Sequence, residues 1–264
     1  MKNLKYLFFF NLIFFFSVSL AENHFPSYQS SYDINLVKSK VNPQIGKTYV
    51  SKAEGELFVD WLNNCDSWVS NQRMVTKFIN SHGVGTLNEI NYSLVEKNNG
   101  NHLKFSLEVK ENAELVERTF GTASIGETVT VKFDMSDKEP INLPDNVIFP
   151  RTFLKDVLKN INGDQQILTR RVYEGTIPDK FFDISIFFTD EKIKENLDFL
   201  PDNVKNNFSK IRMAYYQDQT PTPILEMTQH INQQGIASYF RFDYPEYSLE
   251  MKLKKIDIVK IPCD

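Results

Sequence analysis

Apolar and polar residues alternate with a period of two along most of this chain. Leu103, Phe105, Leu107 and Val109 interleave with Lys104, Ser106, Glu108 and Lys110. Phe182, Ile184, Ile186 and Phe188 do the same, as do Ile236, Ser238, Phe240 and Phe242. Alternation of this kind predicts strands with one face buried. Further strands are predicted over 32–38, 55–62, 68–80, 86–96, 115–123, 127–133, 166–173, 210–217 and 224–231. Near the end, Leu249, Met251 and Leu253 alternate with Glu250, Lys252 and Lys254, and then the phase slips to Ile256 and Ile258. One extra residue in a strand is the mark of a β-bulge.

The breaks between these runs carry turn residues: Ser81-His82-Gly83, Asn98-Asn99-Gly100 and Gln233-Gln234-Gly235. Gly83-Val84-Gly85 reads as part of a hairpin turn. Such regular punctuation predicts an antiparallel meander closing toward a barrel or sandwich. One segment breaks the pattern. After Phe149-Pro150, the apolar residues Phe153, Leu154, Val157, Leu158 and Ile161 form a helical stripe opposite Lys155, Asp156 and Lys159. Pro150 suits a first-turn position and Gly163 a C-terminal stop. A second short helix is expected around 191–196. The stretch 137–150, marked by prolines, links the first run of strands to the main helix. With no fixed repeat and no long Gly, Ser or Pro linker, one continuous domain is expected.

The first residues carry Lys2 and Lys5, then an apolar run from Tyr6 to Leu20, then Ser19-Leu20-Ala21 ahead of Glu22. Positive start, apolar core and small-residue exit predict a signal peptide over 1–21 that is cleaved, leaving one domain over 22–264. The apolar run is shorter than the roughly 20 residues of a spanning helix. Export of a soluble protein is the expectation. Loss of the two lysines moves the formal net charge from −4 to −6. An acidic balance argues against a nucleic-acid binder, which needs a basic face.

Export gives Cys65 and Cys263 a meaning. Two cysteines allow a single pairing, and an oxidising compartment favours it. The alternative is two separate buried thiols. They lack the spacing of a zinc site, so no metal is expected. The four histidines, His24, His82, His102 and His230, fall in separate turns and strands, and no nucleophile elbow, zinc-protease helix or phosphate loop occurs. Asn91-Tyr92-Ser93 and Asn207-Phe208-Ser209 match glycosylation acceptors only formally. Two carboxylate pairs offer the residue types for sugar cleavage, Asp60 with Asp66 and Asp243 with Glu246. Each reads better as solvated strand-end charge. No catalytic residue and no cofactor is expected.

The most distinctive run is C-D-S-W-V-S-N-Q-R, residues 65–73. It resembles the signature of the envelope integrity protein B (EipB) family, in which a cysteine precedes an acid-x-Trp-x-x-Asn-Gln-Arg run. Here that assigns Cys65, Asp66, Trp68, Asn71, Gln72 and Arg73 to the family motif. Other landmarks agree in order: Y-D-I-N-L at 32–36, G-E-L at 55–57, G-T-A at 121–123, L-P at 143–144, F-P-R-T at 149–152 and the terminal Cys263. The chain departs from the family in being richer in Lys and Asn, with short loops.

The resemblance implies a periplasmic, mainly β protein. Its fold would be a long curled antiparallel sheet, a β-spiral or partly opened barrel, with one or two helices packed against it. It implies that a Cys65–Cys263 disulfide ties the end of the chain to an early strand, and a role in cell-envelope integrity without catalysis. The bond then reads as a clasp on an open sheet, with Trp68 beside it and Arg73 paired to Asp66 or Glu56. Abundant aromatics on a concave sheet suggest a cleft for an envelope lipid, a lipoprotein or a periplasmic protein. The alternatives are a docking protein for periplasmic partners without a small ligand and, less favoured, an exported cell-wall hydrolase.

Overall fold

The computed structural model describes residues 25–39, 48–134, 138–195 and 197–261. The predicted signal peptide and Cys263 lie outside the described residues. The first eight strands are β1 (Ser27–Ser39), β2 (Val50–Asn63), β3 (Ser67–Asn80), β4 (Gly85–Lys97), β5 (His102–Glu111), β6 (Glu114–Ile125), β7 (Val129–Phe133) and β8 (Ile141–Leu143). Then come β9 (Val147–Ile148), helix α1 (Pro150–Asn160), β10 (Ile167–Val172), β11 (Phe182–Ile193), β12 (Phe208–Tyr216), β13 (Leu225–Ile231), β14 (Ala237–Asp243) and β15 (Tyr247–Val259).

All the described strands join one 15-stranded sheet in the order β8-β7-β6-β5-β4-β3-β2-β1-β15-β14-β13-β12-β11-β10-β9. The order is the chain order itself, closed into a ring by β1 against β15 and left open between β8 and β9. The expected curled antiparallel sheet is therefore present, as a barrel-like ring with one seam. The seam strands are only three and two residues long, joined through residues 144–146. Pro140, Pro144 and Pro150 flank them. Short, proline-bounded strands leave few free backbone groups on an edge.

All neighbouring pairs are antiparallel except β9 with β10, which is parallel. A parallel pair requires a crossover, and α1 lies in it. Val157, Leu158 and Ile161 on the predicted stripe pack with Ile184, Ile186 and Ile211, the inward residues of β11 and β12. Pro150 occupies the first turn as expected, whereas the helix stops at Asn160 with Ile161 as its cap, ahead of Gly163.

The second helix expected around 191–196 is not formed. Residues 191–193 extend β11, with Lys192 opposite Ser209 and Ile193 opposite Phe208, after a register shift beyond Phe188. Pairing with β12 outweighs the weak local helical pattern, a usual tertiary override of propensity. The phase slip in the last strand is real. Ser31 faces Lys255 and Tyr32 faces Leu253, so Lys254 is the bulged residue.

Candidate functional site: an apolar cavity inside the spiral

Alternation turns one residue in two of each strand inward. The ring is too wide for these side chains to meet everywhere. Between β1–β5 on one side and β12–β15 on the other they enclose a cavity of about 450 Å³. Its walls are mainly apolar and aromatic, including Trp61, Met74, Ile90, Met227 and Phe242, with Leu154 of α1 along one side. Aromatic rings run along one wall. Tyr32 meets Phe240 at 5.4 Å between centroids, Phe240 meets Phe242 at 6.1 Å, and Phe242 meets Tyr244 at 6.4 Å. Volume and lining fall within the range of small-molecule sites.

Few polar groups reach this space. Tyr28 and Tyr32 donate their hydroxyls to the backbone carbonyls of Gly235 (3.4 Å) and Ala237 (2.9 Å). Tyr92 donates to the carbonyl of Glu174 at 2.5 Å. Burial holds these phenols neutral: that of Tyr32 is pushed up to about 12, and those of Tyr28 and Tyr92 rise well above their usual range. Tyr244 is pushed to about 12 and Tyr215 higher, in both cases chiefly by burial, with the Glu174 charge adding to the shift at Tyr215. The carboxyl of Glu174 also borders the cavity and accepts a hydrogen bond from the Thr176 hydroxyl at 3.1 Å. Burial raises its pKa, and the Thr176 hydrogen bond partly opposes the rise. Gly175 makes this placement feasible. Its φ is +74°, and a Cβ there would sit 2.4 Å from the buried Phe105 ring. Glycine tolerates both the left-handed backbone and the close approach.

The EipB-like family profile matches residues 20–260. The chain belongs to the EipB-like family. Among solved structures it resembles a beta-barrel-like protein of domain of unknown function DUF1849 from Brucella abortus. The TM-score is 0.82 at 17% identity, covering 90% of this chain and 99% of that one. No curated protein matches the chain.

Period-two geometry divides the EipB-like motif between two faces. Asp66 and Cys65 sit in the β2–β3 turn, Cys65 with φ +59°. Trp68 points inward, is 3% exposed, and meets Phe25 at 5.6 Å and Trp61 at 5.7 Å. Gln72 also faces in and lines the cavity. Asn71 accepts from the Ser93 hydroxyl at 2.6 Å. Arg73 pairs with Glu89 at 3.7 Å, which corrects the expected partner, Asp66 or Glu56. Asp66 is engaged by Lys97 at 2.6 Å and Glu56 by Lys254 at 2.5 Å. Arg73 sits mid-strand, facing Asn91 of β4, so Glu89 two residues along β4 shares its face.

The F-P-R-T landmark of the EipB-like chain belongs to one buried cluster with Trp68. Glu96 of β4 accepts from the backbone N–H of Arg151 (2.7 Å) and of Thr152 (3.1 Å), and from the Thr152 hydroxyl (2.8 Å). The Arg151 guanidinium donates to the Asn98 carbonyl at 3.0 Å and lies 5.4 Å from the Trp68 ring. Phe149, at the N-cap, offers no side-chain cap, so Glu96 supplies the missing acceptors from another strand.

Three of the four carboxylates named for sugar cleavage, Asp60, Asp66 and Asp243, have other partners. Asp60 accepts from Gln29 at 3.0 Å, and Asp243 pairs with Arg241 at 2.9 Å and accepts from Ser248. His102 bonds Ser124 and His230 bonds Glu195. Sequence reading missed Glu96, Glu174, Thr176 and the cavity tyrosines. The signal for Glu174 was an E-G-T step one residue beyond strand β10.

Proposed function

We propose that this is an exported, periplasmic protein of envelope homeostasis that works without catalysis by holding an apolar ligand inside its curled sheet. The observation that carries the reading is the 450 Å³ cavity walled by aromatic and aliphatic side chains. The predicted export signal and the EipB-like family membership support a place in the envelope. A cavity of this size suits one chain of an envelope lipid or of a lipoprotein anchor.

Trp61 lines the cavity, and the chain's other tryptophan, Trp68, is buried beneath α1. A bromine-tipped alkyl alcohol entering the cavity therefore quenches Trp61 emission. Trp61→Phe lowers that quenching and leaves what reaches Trp68, 5.7 Å away. A titration without quenching of the native protein defeats the proposal. Stable protein partners recovered from envelope extracts, with no such uptake, would favour the docking reading in its place.

A further inference from the structure

Deepening the cavity reading, on which it rests, we infer that the site selects a single-chain amphiphile carrying a protonated amine head, held by Glu174 and the surrounding tyrosine rings. Three features converge. Glu174 is the sole carboxylate among the residues that line the cavity, and no Lys, Arg or His lines it. An anionic head such as a carboxylate or phosphate would therefore meet like charge and no cation. Aromatic side chains line the wall near Glu174, with the Tyr92 hydroxyl bonded to its backbone carbonyl and Tyr215 close enough to feel its charge. Ring faces attract cations.

The third feature is that folding has already removed part of the water around the Glu174 carboxyl, which is half-buried at the cavity wall. An ammonium group arriving there adds a Coulombic partner to a partly desolvated acid, so part of the usual cost of burying an ion pair is already met by the fold. Gly175 fixes the geometry by pressing the turn onto Phe105, and Thr176 orients the carboxyl through its hydroxyl. The apolar body of the ligand then runs along the rings of Phe240 and Phe242.

The test displaces the bromine-tipped alcohol with decylammonium, decanol or decanoate and follows the recovery of Trp61 emission. Decylammonium is expected to displace it at about tenfold lower concentration than decanol, a difference of about 1.4 kcal/mol, with decanoate the weakest. In Glu174→Gln, decylammonium and decanol are expected to converge while decanol is unchanged. Equal potency of decylammonium and decanol on the native protein, or a preference that survives Glu174→Gln, overturns the amine assignment and leaves the cavity reading standing. Failure of the alcohol itself to quench overturns both.

Discussion

Gly175 shows how one residue can set a site. Its backbone is left-handed and its Cα faces the Phe105 ring, so a methyl group there has no room. Gly175→Ala should destabilise the protein by on the order of 1–3 kcal/mol from overpacking, read as a lower urea midpoint. The same variant should weaken ligand-induced quenching, because Glu174 and Thr176 shift with the turn. An unchanged midpoint would show that Phe105 can move aside. None of this was legible beforehand. The glycine stood in a short E-G-T step, and nothing local reports that Phe105, on a strand from the other half of the chain, lies against it. The motif residues were legible as a group, but their division into inward Trp68 and Gln72 and outward Asn71 and Arg73 follows from the strand that carries them.

Helix α1 has its predicted stripe and start, because a 3.6-residue apolar period after Pro150 is a local signal. Its cap was hidden, since Glu96 comes from β4, more than fifty positions earlier. Glu96 accepts three hydrogen bonds at the helix start while 2% exposed. Glu96→Gln turns an amide N–H toward the N–H of Arg151 or Thr152, and should cost about 1–3 kcal/mol, the penalty for an unsatisfied buried donor. A melting temperature equal to that of the native protein would rule out this capping role. The long strands were readable from alternation to within a few residues. The seam strands β8 and β9 were not, because three and two residues are too short for a period to show. The helix expected near 191–196 failed for the opposite reason, as a local pattern overruled by pairing along the sheet.

At the scale of the molecule, the clasp can be weighed against the register. Ser27 stands beside Val259 of β15, and its hydroxyl accepts the Asn63 N–H at 2.8 Å on its other side. The last strand therefore runs out toward the β2–β3 turn that holds Cys65. Three residues lie between Val259 and Cys263, enough chain to cross one intervening strand at about 4.8 Å per strand spacing. No free cysteine occurs among the described residues. Cys263→Ser should lower stability by about 2–4 kcal/mol and expose β15 to protease. Identical melting under oxidising and reducing conditions would remove the clasp.

The ring order of the sheet also bears on how the chain finds its fold. From β1 to β8 and from β10 to β15 each strand pairs with its sequence neighbour, so those hairpins close over short loops and can zip independently. The β1–β15 ladder alone brings together segments from the two ends, and its loop carries the greatest entropy of closure. That ladder is the natural last step of assembly. Until it forms, the cavity has no second wall, so the enclosed apolar space arrives with the final closure and is the first feature lost when the ring opens.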